Sequence, residues 1–220
     1  MATSRLWAFL HILLFAYWLG ADLGVLILAR AARRSMLSFA ERVLALNAAA
    51  AIGVAPRICL ALMLPSGLQL VHAGHEPIAA WVLATTWTLG IAWAALLVVG
   101  ALRGETPLAA FATRAHVALQ MALCVVLGAV GVSSLLGAGP LPGGWIAAKM
   151  VLFSAACALG AGIDYAFRPA LPAFARLVKE GSKPGIEAPI AAGIDAATRL
   201  VVTLYAVLIL SALLGVTRPF

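Results

Sequence analysis

The chain has 220 residues, of which 64% are hydrophobic and 10% charged, with a formal net charge of +7. Soluble domains carry roughly 45 to 50% apolar residues, so a water-soluble globule is excluded at a mean hydropathy of +1.07. The cations gather at the edges of apolar runs rather than in one basic stripe, which excludes a nucleic-acid partner.

Runs long enough to cross a hydrocarbon core of about 30 Å lie at 6–29, 43–70, 78–102, 115–137, 144–167 and 197–217. They predict an all-α, polytopic membrane helix bundle of six transmembrane helices, with 1–220 as a single domain embedded in the lipid bilayer. The first run is too long for a signal-peptide core and lacks a basic leader, so it reads as a retained helix. It carries His11, and residues three or four apart place Trp7, His11, Leu14, Trp18 and Asp22 on one face, expected to look into the bundle.

The second run holds Pro56 and Arg57. Pro56 removes a backbone donor and frees a carbonyl one turn earlier for a polar group. Pro65, Ser66 and Gly67, together with His72 to Pro77, read as the turn that follows. Trp81, Trp87 and Trp93 recur along the third run, with Trp81 as an interfacial anchor. Breakers recur at Gly104 to Pro107 and at Gly137 to Gly144, and His116 opens the fourth run. The fifth run carries Lys149 and Asp164. Residues 168–198 hold four prolines and mixed charges, and predict a long cytoplasmic loop with a short interfacial helix at 170–179. Three cysteines, Cys59, Cys124 and Cys157, sit in apolar stretches at unrelated spacings and suggest small core residues.

Positively charged loops stay cytoplasmic. Arg30, Arg33, Arg34, Arg42, Arg103, Arg114, Arg168, Arg176, Lys179, Lys183 and Arg199 fall on one side, against Arg5 and Arg218 on the other. Both termini are therefore expected outside the cytoplasm, in a bacterial-type inner membrane. On this topology His11 and Lys149 each lie about 8 Å below the outer helix ends, Arg57 lies nearer the membrane centre, and Asp22 and Asp164 lie toward the cytoplasm.

An ionisable side chain in hydrocarbon costs about 2.5 to 3.5 kcal/mol on insertion scales, so His11, Asp22, Arg57 and Lys149 each call for a partner, a cofactor or water. A neutral imidazole among aromatic neighbours suits an axial ligand of haem b, and equally suits a hydrogen bond to a neighbouring helix. His72, from the outer loop, is a geometrically possible second haem ligand, whereas His116 lies at the wrong depth. His72, His75 and Glu76 form an alternative site for copper or zinc. Arg57 and Lys149 suit carboxylates, Arg as a fork and Lys as a point charge. Asp22 can equally pair with Arg57 or accept from Asn47.

Leu10-His11-Ile12, then Trp18-Leu19-Gly20, and Gly144-Trp145-Ile146-Ala147-Ala148-Lys149-Met150-Val151-Leu152 resemble the HemJ-type protoporphyrinogen oxidase and CopD-like membrane protein superfamily. The resemblance covers two of six helices. It implies a compact bundle, His11 as the haem b ligand and Lys149 as a required partner, so a membrane oxidoreductase. The chain departs from the pattern at Ala21-Asp22-Leu23-Gly24-Val25 and at Gly162-Ile163-Asp164-Tyr165. CopD-like copper handling ranks second, because Met1, Met36, Met63, Met121 and Met150 form no ladder. A non-catalytic subunit of a membrane complex, a homo-oligomer or a small transporter whose charges fix helix register is the third reading.

Overall fold

A computed structural model describes residues 2–74, 78–104, 106–141 and 144–218. Eight helices account for nearly all of them: α1 (Ala2–Ala32), α2 (Phe39–Ile52), α3 (Val54–Ala73), α4 (Ala80–Leu102), α5 (Pro107–Leu135), α6 (Gly144–Phe167), α7 (Ala170–Glu180) and α8 (Pro184–Thr217), and no strand occurs among the described residues. Six stretches are long and apolar enough to cross a membrane, with α2 and α3 forming one and α6 and α7 lying in another. The protein is a multi-pass membrane helix bundle. Helices suit this solvent because each satisfies its own backbone groups where no water can. Phe9, Ile12, Tyr17, Leu23 and Ile27 are exposed along α1, a surface that would drive aggregation in water and that acyl chains cover in a bilayer.

Several boundaries differ from the sequence expectations. Pro65, Ser66 and Gly67 do not turn the chain but lie inside α3. Pro65 leaves the Ala61 carbonyl without its usual partner four residues on. Gly90 of α4 packs against that gap, and a β-carbon there would lie 2.9 Å from Ala61 O and 3.0 Å from Pro65 Cγ. The glycine thus lets a second backbone cover the proline. Gly90→Ala is expected to cost about 1 to 3 kcal/mol by overpacking, read as a lowered melting temperature in detergent. An unchanged melt would mean that the two helices are not this close.

The break in the second stretch falls instead at Gly53, one turn before Pro56, where a proline disrupts the preceding hydrogen bond. α5 starts at Pro107, eight residues before the predicted run, because Thr106 caps it (Ala109 N donates to Thr106 Oγ1 at 3.2 Å) and Pro107 suits the first helical turn. Within 168–198, α7 occupies the place of the short helix, but residues from Pro184 onward already belong to α8, so the loop is far shorter than expected. Pro184 suits that helix start, and Pro189 lies early enough in α8 to be accommodated.

Contacts group the chain into two compact units: residues 1–25 with 48–117, and residues 26–47 with 118–220. In the first, α3 packs along α4. In the second, α6 packs along α8 and α7 docks on α8. The apolar face of α7, Ala170, Ala173, Phe174 and Leu177, is buried against Ile186, Ile190 and Ile194 of α8 and Ala32 of α1. That face is therefore taken up by protein, while Leu171 and Val178 on its other side stay exposed. Arg42 of α2 binds these pieces together. Its Nε donates to Ala32 O at 2.8 Å, its two terminal nitrogens form a fork on Glu187 at 2.8 and 2.9 Å, and its guanidinium lies over Phe174. Ala32 O ends a helix and would otherwise lack a donor.

Gly131 sets the approach of α5 to α6. A β-carbon there would lie 2.8 Å from Val151 Cγ2, 2.9 Å from Ala147 O and 3.0 Å from Val151 N. Two of these atoms are backbone and cannot rotate away. Gly131→Val is expected to lower the melting temperature more than Gly128→Ala, whose nearest neighbour at 2.8 Å is the Ser154 hydroxyl, a group that can turn at the cost of its hydrogen bond to Cys124 O. Equal effects of the two changes would contradict this packing.

Candidate functional site

The chemistry-bearing residues of the first unit form layers along its helices. Trp87 of α4 meets Gln69 of α3, donating Nε1–H to its Oε1 at 3.2 Å, and stacks at a tilt on Trp7 of α1 with centroids 5.6 Å apart. Gly90 meets Pro65, and His11 meets Ser66 and Gly67. Together these contacts fix an antiparallel register and place His11 level with Gly90, ten residues into α4 and so about 15 Å from its start. His11 is therefore near the middle of the span, deeper than its position in the apolar run suggested. The reason is that α1 begins at Ala2 rather than at Leu6.

The same register corrects Arg57. It falls level with the last turn of α4, about 5 Å from that helix end, and its side chain is exposed. The stretch from Phe39 to Ala73 has 35 residues, far more than a bilayer needs, so its midpoint is not the membrane centre. Arg57 acts electrostatically on Asp22, and Val25, three residues further along α1, packs against the Gly53 break. Oδ2 of Asp22 is buried without a hydrogen-bond partner.

At the centre, Nδ1 of His11 is hydrogen-bonded to Ser66. The buried Ser66 hydroxyl lies 3.1 Å from Met63 O and 2.9 Å from His11 Nδ1, and when it donates to Met63 O its oxygen accepts from His11 Nδ1–H. A neutral imidazole then holds its lone pair on Nε2. Gly67 makes room for the ring, since a β-carbon there would lie 3.1 Å from His11 Cε1.

About one turn further along α4, Trp93 donates Nε1–H to Nδ1 of His116 at 2.7 Å, and both side chains are buried. Indole can only donate, so Nδ1 of His116 is the acceptor and its proton sits on Nε2. His116 lies nine residues into α5, about 14 Å from the helix start, and not at the membrane edge where the sequence placed it. It lies close to the depth of His11, yet it does not offer a metal a lone pair, because Nδ1 is taken and Nε2 is protonated.

Trp18 is buried in the same unit, on the His11 face of α1. His72 occupies the last turn of α3, not a loop, and is exposed. It lies six residues beyond Ser66, about 9 Å along the helix, so it does not face His11 across one ring. His75 and Glu76 lie outside the described residues, and among those described no three His, Cys, Asp or Glu side chains gather to hold a metal ion.

Lys149 belongs to the second unit, five residues into α6 and so about 8 Å from its start, beside Gly215 of α8. In that unit Gln120 Nε2 donates to Cys157 O at 2.9 Å and Ser154 Oγ to Cys124 O at 2.6 Å. These bonds tie α5 to α6 through small residues.

Sequence reasoning missed the contacts of Ser66, Gly67 and Trp93, and it weighed His116 but placed it at the membrane edge. Ser66 and Gly67 looked like a turn, and the helix start at Pro107, had it been recognised from the Thr106 cap, would have put His116 at mid-span.

No family model, no curated protein and no solved structure matches this chain.

Proposed function

We propose that the protein is an integral-membrane redox protein that binds haem b through Nε2 of His11, in the manner of the HemJ-like oxidases that its first and fifth apolar runs resemble. One observation carries the reading: Nδ1 of His11 is hydrogen-bonded at 2.9 Å to Ser66 Oγ, itself 3.1 Å from Met63 O, which fixes the orientation of the imidazole; with the proton on Nδ1, Nε2 is the nitrogen that would ligate iron. Metal-bound histidines are oriented in this way by a partner on the other ring nitrogen. Haem supplies one-electron transfer when bound. The chain holds and orients one axial ligand at mid-span, in an apolar setting with Trp18 buried nearby, and Arg57 supplies a cation toward one end of the same unit for a carboxylate. Lys149 is a second anion-holding position, in the other unit. The cation-rich loops support a cytoplasmic side between the helices, with both termini outside and an inner-membrane location. Partner subunits or self-association would complete an electron path.

Copper handling is the weaker reading, since His72 is exposed on a helix end and no three-donor group is present among the described residues. The test is a redox titration of the purified protein and of Ser66→Ala. The titration should show a b-type haem in both, with the midpoint potential and haem affinity changed in the variant, the affinity by about 10- to 100-fold. Identical potential and affinity would remove Ser66 from the site, and no haem in either would end the redox reading.

A further inference from the structure

Where α6 begins and α8 ends, two cations converge with no acidic side chain between them among the described residues. The Lys149 ammonium crosses Gly215, where a β-carbon would lie 2.7 Å from Nζ and 3.9 Å from Cε. Arg218, just past α8, has a left-handed backbone with φ 42°, a conformation costly for a side-chain-bearing residue. Its guanidinium lies over Trp145, in the first turn of α6, with Cζ 5.2 Å from the ring centroid. The two cations act on each other electrostatically. Among the described residues, neither side chain has a carboxylate partner.

The helix ends do not offset this charge. The last carbonyls of α8 carry about half a negative charge, and the first amides of α6 carry about half a positive one. Among the described residues, the two side-chain charges are therefore not neutralised by the helix ends. Snorkelling alone would explain a lone lysine, but it does not explain why an arginine is held beside it in a strained backbone and stacked on a tryptophan. Helix ends and interfacial tryptophans mark the level at which lipid phosphates lie.

We propose that Lys149, Arg218 and the first turn of α6 form a binding site for a phosphate-bearing anion, with Trp145 as one wall. Lysine contributes a point charge and arginine a planar fork. A side chain at Gly215 would displace the ammonium from its present place. The site shares Lys149 with the proposed function, where it is an anion-holding position, but it needs no haem, and lipid binding tests it separately.

The test uses the full chain, stripped of lipid in mild detergent, with phosphatidylglycerol or phosphatidylcholine titrated in and bound lipid counted by native mass spectrometry. The first phosphatidylglycerol is expected to bind more tightly than phosphatidylcholine. Lys149→Gln with Arg218→Gln should weaken it by about tenfold or more, as loss of charge-assisted hydrogen bonds implies. Gly215→Leu should do the same with every charge retained, and it serves as the deciding variant if the double change unfolds the protein. Arg33→Gln, on the opposite end of the second unit, should leave this first binding step unchanged. Inorganic phosphate added in competition separates the sources: displacement identifies free phosphate as a ligand, and persistence identifies the lipid headgroup. Unchanged phosphatidylglycerol affinity in both the double variant and Gly215→Leu would overturn the proposal.

Discussion

His11→Ala is expected to yield a folded protein without pigment, while His11→Gly regains colour when imidazole is added to the medium. Both follow from the arrangement at mid-span, where Ser66 holds Nδ1 and Gly67 leaves space for the ring. On the proposed reading, removing the ring removes the nitrogen that would ligate iron, so the loss should be complete rather than partial. Free imidazole can fill the space left in the glycine variant and supply the same ligand. Visible spectra at equal protein concentration, with a melting curve for each variant, read the result. Pigment retained in folded His11→Ala would show that iron is held elsewhere.

Breaking the Arg42–Glu187 pair should produce the largest loss of stability, and the loss should be asymmetric. Arg42 is almost fully buried, with 2% of its side chain exposed, whereas Glu187 has 20% exposed. Glu187→Leu leaves a guanidinium buried without its partner, expected to cost about 3 to 5 kcal/mol. Arg42→Met should cost less, because the carboxylate keeps the Ser182 hydroxyl at 2.7 Å and some access to solvent. The double variant should recover much of the loss, since an apolar pair can replace a buried ion pair at little cost. Melting temperatures of the three variants form the cycle. Equal losses for the two single changes, with no recovery in the double, would mean that the pair contributes nothing specific.

The six spans could be read from the sequence because their signal is length and hydropathy, which the bilayer imposes directly. Depth could not be read in the same way. α1 has 31 residues and α2 with α3 spans 35, so the edges of apolar runs do not mark the membrane boundary, and His11 and Arg57 changed places. Proline and glycine also misled. In water Pro65-Ser66-Gly67 would turn the chain, but in lipid a helix keeps its backbone bonded and a neighbouring glycine covers the gap. The inward face of α1 was legible from helical spacing. The partners it meets, Ser66 on α3 and Trp87 on α4, were not, because they depend on register between helices. Arg42 was counted only as a topological charge, and its role appears once Ala32, Phe174 and Glu187 come together.

The most direct measurement is the amount of haem per chain in protein purified in mild detergent, determined as the pyridine haemochrome beside a dithionite-reduced minus oxidised spectrum. About one b-type haem per chain is the predicted result. A well-folded, colourless protein would contradict the account and leave the central His11–Ser66 pair as a structural hydrogen bond between helices.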